Sequence, residues 1–190
     1  MNRWSELEAT LARQIGGERL AHTYRVLDTA RALSRQVGAP VEKAEVAALM
    51  HDYAKHMSGE ELLAIARRHG LIIDPVEESQ PQLLHGAVAA QLLAEQGLVT
   101  DREVLDAIRW HSTGRAGMNL LERVIWLADY IEPGRKFPGV DLVRSTARQD
   151  IDRALLMALD NTITFVISRG WLLHLSSVHA RNWLLSEMSK

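Results

Sequence analysis

The sequence predicts an all-α protein: a single domain folded as a bundle of about nine or ten helices. Helix start and stop signals recur along the whole chain. Apolar residues recur at helical spacing between them. No alternating run of β-branched residues lies between turns, and Ile72-Ile73 is too short to make a sheet.

Taken in order, Ser5 with Glu8 reads as a capping box, in which each residue satisfies a free backbone N–H, and it opens a first helix to about Gly16. A second helix spans about Glu18 to Val37, with Leu20, Leu27, Ala30 and Val37 near one face, and Gly38-Ala39-Pro40 stops it. A third covers about Val41 to Lys55. Ser58 with Glu61 caps a fourth, which Gly70 ends. Asp74 to Gln82 is expected to be a polar loop holding Pro75 and Pro81. A fifth helix covers about His85 to Gln96. Thr100 with Glu103 caps a sixth, which reaches about His111. After the loop Thr113-Gly114-Arg115-Ala116-Gly117, Asn119 with Glu122 opens a seventh helix that runs to about Glu132 and stops at Pro133-Gly134. Later helices are expected at about Asp141 to Arg148, Asp150 to Arg169 and Ser176 to Met188.

The chain has 190 residues, enough for one domain with a substantial core. A formal net charge of −2 gives no general attraction to nucleic acid or anionic membranes, and neither is expected as a partner. The absence of cysteine excludes a disulfide scaffold, a thiolate metal site and a Cys nucleophile. The start, Met1-Asn2-Arg3-Trp4-Ser5-Glu6, has no basic segment leading into an apolar run, and no stretch is long enough to span a bilayer. A cytoplasmic location is the expectation. Trp171 and Trp183 are candidates for a homodimer contact.

The chemistry starts at His51-Asp52, which ends the apolar stretch Val46-Ala47-Ala48-Leu49-Met50. An isolated His-Asp pair is more often a solvated helix end, yet an ionised carboxylate is costly to bury without partners. Asp129 follows Ile125 at i+4 on an apolar helix, so it borders the face that enters the core. Alone, it fits a structural salt bridge as well as a metal site. His22 completes a set of two imidazoles and two carboxylates from three helices, a donor set suited to a borderline or hard divalent cation. His85 opens one helix and His111 closes another. Each reads either as a polar helix end or as a group that binds a second metal, contacts phosphate or gives a proton to a leaving oxygen. Lys55, Arg115 and Arg135 closely follow the metal-site helices and suggest a phosphate clamp, although a lone loop Arg is usually solvated. No Gly-x-x-x-x-Gly-Lys loop, Gly-x-Ser-x-Gly elbow or His-Glu-x-x-His helix is present.

With these residues on the page, the series His22, His51-Asp52, Asp129 resembles the HD-domain metal phosphohydrolase superfamily. The segments His51-Asp52-Tyr53-Ala54-Lys55, His85-Gly86, His111-Ser112-Thr113-Gly114-Arg115, Ala128 to Arg135 and Ala158-Leu159-Asp160-Asn161-Thr162 resemble its YqeK branch, whose members are symmetrical diadenosine tetraphosphate hydrolases yielding two ADP. The resemblance covers about Arg19 to Asn182. It implies an HD-type helical bundle over residues 1–190, with His22, His51, Asp52 and Asp129 as metal ligands. Iron is the implied metal, with manganese, cobalt or magnesium as alternatives, and a second metal at His85 and His111 stays open. It implies a dinucleoside polyphosphate substrate, with ADP or GDP as product. The implied substrate contacts are Arg19, His22, Asp52, Lys55, His85, His111, Asp129, Arg135 and the segment containing Leu172, Leu173, His174, Ser176 and Ser177. That segment departs from the branch: His174-Leu175-Ser176-Ser177 lacks the Pro-Asp that commonly follows this His. The expected catalytic groups are His85 or His111, protonating the departing diphosphate oxygen, with Lys55, Arg115 and Arg135 offsetting phosphoryl charge. Another HD-type nucleotide phosphohydrolase or monophosphatase, and a non-catalytic nucleotide-binding signalling module, are the alternatives.

Overall fold

The computed structural model describes residues 3–190 and holds eleven α-helices and no strand among them. The apolar periodicity therefore builds the expected architecture, with short helices added where a loop was expected. Asp74 to Gln82 contains α5 (Val76–Ser79) and leads into a 3-10 turn at Pro81–Leu84, with Pro81 at its first position, where a missing N–H costs nothing.

Four helices form the centre: α2 (Gly17–Val37), α3 (Val41–Met50), α7 (Arg102–Trp110) and α8 (Leu120–Ile131). Ala44, Ala47 and Ala48 of α3 are fully buried, and their small side chains let α2, α7 and α8 close around it. α6 (His85–Glu95) packs along α7. Gly86 sits at that contact: a Cβ there would stand 2.8 Å from the Ile108 and Arg109 carbonyl oxygens and 3.1 Å from His111 Nδ1. α9 (Val140–Ala147) and α10 (Ile151–Ser168) cover α8, and α11 (Leu175–Met188) packs on α10. α1 (Arg3–Gln14) leans on α3, and α4 (Gly59–His69) lies against the 3-10 turn and α6.

The capping boxes at Ser58/Glu61 and Asn119/Glu122 form as expected. The other two helices start elsewhere than expected. α1 begins at Arg3, so Ser5 stands inside its first turn. Asp101, one residue after Thr100, caps α7 by accepting from Glu103 N and Val104 N, because a carboxylate is the stronger acceptor for the orphan N–H groups. The third helix ends at Met50, not Lys55. Beyond it the chain proceeds in turns closed three residues apart, Tyr53 N to Met50 O and Lys55 N to Asp52 O. No helix among the described residues is long and apolar enough to cross a membrane.

Candidate metal centre

The helices bring polar residues to one end of the bundle. His51 is the residue after α3 and His111 the residue after α7, His85 opens α6, His22 lies on α2, and Asp129 lies in the last turn of α8. His51, Asp52, His85 and His111 are all buried. Nothing in a bundle core compensates such a concentration of polar atoms except the contacts they make with one another.

Those contacts fix the tautomers. His51 Nδ1 is 2.7 Å from Ala48 O, His111 Nδ1 is 2.7 Å from Ile108 O, and His85 Nδ1 is 2.5 Å from Gln82 O. A carbonyl oxygen only accepts, so each Nδ1 must carry the hydrogen and each Nε2 is left with its lone pair. The imidazoles of His51, His85 and His111 therefore turn acceptor nitrogens towards the centre. His22 is set between two carboxylates, with Nδ1 3.1 Å from Glu132 Oε1 and Nε2 facing Asp129, and against burial they raise it above its ordinary value.

There they meet acceptors. His22 Nε2 is 3.2 Å from Asp129 Oδ1, His51 Nε2 is 3.7 Å from Asp52 Oδ2, and His85 Nε2 is 3.2 Å from Asp52 Oδ1. His85 Nε2 and His111 Nε2 face each other at 2.9 Å. His51 Nε2 is buried and has no hydrogen-bond partner. Lone pairs and carboxylates converging in this way repel unless a cation joins them. Two overlapping groups have ligand atoms within 4.8 Å of one another: His22, His51 and Asp129, and His51, Asp52 and His111. The donor set fits a divalent metal.

The electrostatics agree. Burial alone would raise the Asp52 carboxyl, but the imidazoles of His51, His85 and His111 outweigh it and hold it well below the carboxylate range. Asp129 is likewise held down against burial by His22, His51, Arg135 and His111. Burial, together with the neighbouring His85 and His51, pushes His111 down to about 3. Burial and Lys55 lower His85 against the pull of Asp52. Ionised carboxylates and low-lying His85 and His111 suit ligation, whereas His22 must give up a proton when a cation takes its Nε2.

A cleft of about 660 Å³ opens over this centre. Arg19, Lys55 and Arg135 line it with His22, Asp52 and Asp129. Arg19 Nη1 donates to Asp52 Oδ2 at 2.8 Å, Arg135 is paired with Asp129, and Lys55 Nζ lies 3.4 Å from the ring nitrogens of His85.

An HD-domain family model matches residues 19–134, the span that holds these histidines and aspartates. The chain belongs to the HD-domain family. It is 41% identical over 186 residues to the symmetrical bis(5'-nucleosyl)-tetraphosphatase of Bacillus subtilis (strain 168), covering 98% of this chain and 99% of that one. It is also 41% identical over 169 residues to the protein of the same name from Halalkalibacterium halodurans, covering 89% of this chain and 90% of the relative. A crystal structure of a predicted HD superfamily hydrolase involved in NAD metabolism from Clostridium acetobutylicum matches with a TM-score of 0.93 at 41% identity, covering 98% of this chain and 99% of that one.

In this HD domain the expected ligands His22, His51, Asp52 and Asp129 come together, as do Arg19, Lys55, His85, His111 and Arg135. Arg115 does not join them. It forms a two-pronged pair with the buried Glu122, at 2.7 and 2.8 Å, lies 3.5 Å from Asp106, and rests over the Trp110 ring. A buried carboxylate close in sequence draws it away from the cleft. The segment with Leu172, Leu173, His174, Ser176 and Ser177 does not line the cleft either. His174 is buried against Asp74 and Glu77, and Ser177 Oγ donates to Thr113 O at 3.0 Å. Trp183 packs against the core beneath Arg123, while Trp171 is exposed.

Two residues of the site were not anticipated. Glu132 receives His22, Arg25 Nε at 2.6 Å and the Gly134 N–H. Arg25 also lines the cleft. The signal for both was helical spacing: Arg25 follows His22 by three residues, and Glu132 follows Asp129 by three, which puts each on the same helix face as a ligand.

Proposed function

We propose that this protein is a metal-dependent hydrolase that cleaves diadenosine tetraphosphate symmetrically to two ADP. The observation that carries the reading is the convergence of four imidazoles and two ionised carboxylates beneath a cleft flanked by Arg19, Lys55 and Arg135. The names and extent of the similar bacterial tetraphosphatases support the choice of substrate.

His22, His51, Asp52 and Asp129 are the residues to hold the metal, with iron as the preferred ion and manganese, cobalt or magnesium as alternatives. When bound, such an ion polarises a phosphoryl oxygen and makes water a better nucleophile. Arg19, Lys55 and Arg135 attract and orient the polyphosphate and offset its developing charge. His85 and His111 face each other with their Nδ1 hydrogens committed to carbonyls, so they would serve as ligands of a second cation more readily than as proton donors. An ADP leaving group carries ionised phosphate at neutral pH and needs charge stabilisation more than an acid. A cytoplasmic location accords with this substrate class and with a chain free of cysteine.

The test is a metal-titrated assay against a panel of dinucleoside polyphosphates, with products read by mass. Diadenosine tetraphosphate yielding ADP alone is expected. ATP with AMP, or free phosphate from a mononucleotide in its place, overturns the reading. Dinucleotides of the nicotinamide type belong in the panel, because the similar Clostridium acetobutylicum hydrolase is described as involved in NAD metabolism.

A further inference from the structure

Asn161 and Thr162, the end of a motif that the metal centre leaves unused, line a second recess of about 580 Å³. It is continuous with the cleft: His111, Ser112, Asp129 and Arg135 line both. Its character is different. The walls are aromatic, and the charged groups that line it, Asp129 and Arg135, belong to the shared end.

The rings are held in place. Tyr130 stacks on Trp126 at 5.5 Å and meets the edge of Phe137 at 5.0 Å. Phe165, half exposed, is braced edge-on by Trp171 at 5.7 Å. The Tyr130 hydroxyl faces Asn161 and Thr162. Trp126 carries a buried indole N–H with no acceptor. Such a chamber offers flat faces and a few convergent polar atoms, and its size lies within the roughly 300–1,000 Å³ of small-molecule sites.

We propose that this recess is a nucleobase subsite: it takes the adenine of one ADP half, with the aromatic rings as stacking faces and the Asn161 amide at the base edge. A molecule held through phosphate at Arg135 reaches the recess directly, since that residue lines both cavities. An Asn side chain presents a donor and an acceptor together, the complement of adenine N6 and N7. Stacking on aromatic side chains accepts any base, so the amide supplies the preference. This inference rests on the placement of phosphates in the cleft given under Proposed function.

The test is calorimetric titration of the full-length, manganese-loaded protein with ADP and separately with pyrophosphate. Phe165→Ala and Asn161→Ala are the variants, both at exposed positions where truncation spares the core. The wild type is expected to bind ADP at least about tenfold more tightly than pyrophosphate, and each variant to reduce that margin by about fivefold or more, with pyrophosphate affinity unchanged. A margin that survives in both variants, or no margin in the wild type, overturns the subsite. Neither titration requires turnover. A protein that binds ADP in this way and leaves diadenosine tetraphosphate intact supports the subsite and refutes the activity.

Discussion

Glu132 receives the Nδ1 hydrogen of His22 at 3.1 Å, and so aims the opposite nitrogen of that ring at Asp129. Carboxylates behind ligating imidazoles fix ring orientation and raise ligand basicity, and their loss typically lowers metal affinity about 10- to 100-fold. Glu132→Gln is expected to show a loss of that size in a metal titration while its circular dichroism stays helical. Unchanged affinity would mean that Glu132 serves Arg25 and the Gly134 turn alone.

Asp52 is the carboxylate shared by His51, His85, His111 and Arg19. Asp52→Ala is expected to reduce bound metal to background and to abolish turnover, with the helical content retained. Metal content measured on the purified variant decides this, and full activity there would remove Asp52 from the ligand set.

Arg115 and Arg135 separate structure from chemistry. Arg115→Ala leaves the buried Glu122 without its cation and is expected to cost about 1–3 kcal/mol of stability, with kcat close to wild type. Arg135→Ala is expected to lower kcat/KM by tenfold or more, on the order of 1.4 kcal/mol, with little change in Tm. Thermal melts and initial rates on the two variants provide the comparison, and a large loss of rate in Arg115→Ala would return that residue to the site.

Gly86 gives α6 its close approach to α7. An added Cβ would press on two carbonyl oxygens, which cannot swing aside as a flexible side chain can. Gly86→Ala is expected to destabilise by about 1–3 kcal/mol, as over-packing does, and to shift His85 against His111. Urea unfolding together with metal affinity measures both effects.

Glu77 is buried and accepts from Ile73 N at 2.7 Å and Asp74 N at 3.1 Å, with His174 Nε2 at 3.4 Å. Burial would raise its carboxyl, but His174 and the two backbone N–H groups prevail and hold it below the ordinary value of 4.5. A carboxyl lowered on folding stabilises fully above its unfolded pKa, and that contribution is lost as pH falls through the folded value. Glu77→Gln is therefore expected to cost about 1–2 kcal/mol near pH 7 and progressively less below pH 4.5. Urea titrations at several pH values give the slope, and a deficit that does not narrow in acid would contradict it.

His51-Asp52 and Asp129 were legible because each breaks an apolar pattern, and His22 because it completes their donor set. Asp129 borders the core face of α8, and His51-Asp52 ends the alanine-rich α3, so both needed partners before any coordinates were known. Ring orientation was not legible, since it depends on carbonyls in the preceding turn. The same contact bears on the third helix: His51 occupies the Ala48 carbonyl just where periodicity alone carried the helix on to Lys55. Arg115 was misplaced for a related reason. Its loop follows a site helix, yet Glu122 lies on the next helix and turns the guanidinium outward. The contacts of His174 with Asp74 and Glu77 span about a hundred residues, and no local pattern in the chain announces them.

His51, His85 and His111 are each tethered through Nδ1 to the peptide oxygen three positions upstream. Each ring thus brings its own bracket, and exchanging one need not disturb the aim of the rest. A lineage built on this scaffold can lose or gain a single donor and still present the others ready-pointed at a common spot. Changes of ion identity or nuclearity are then open to point substitution, without any rebuilding of the bundle.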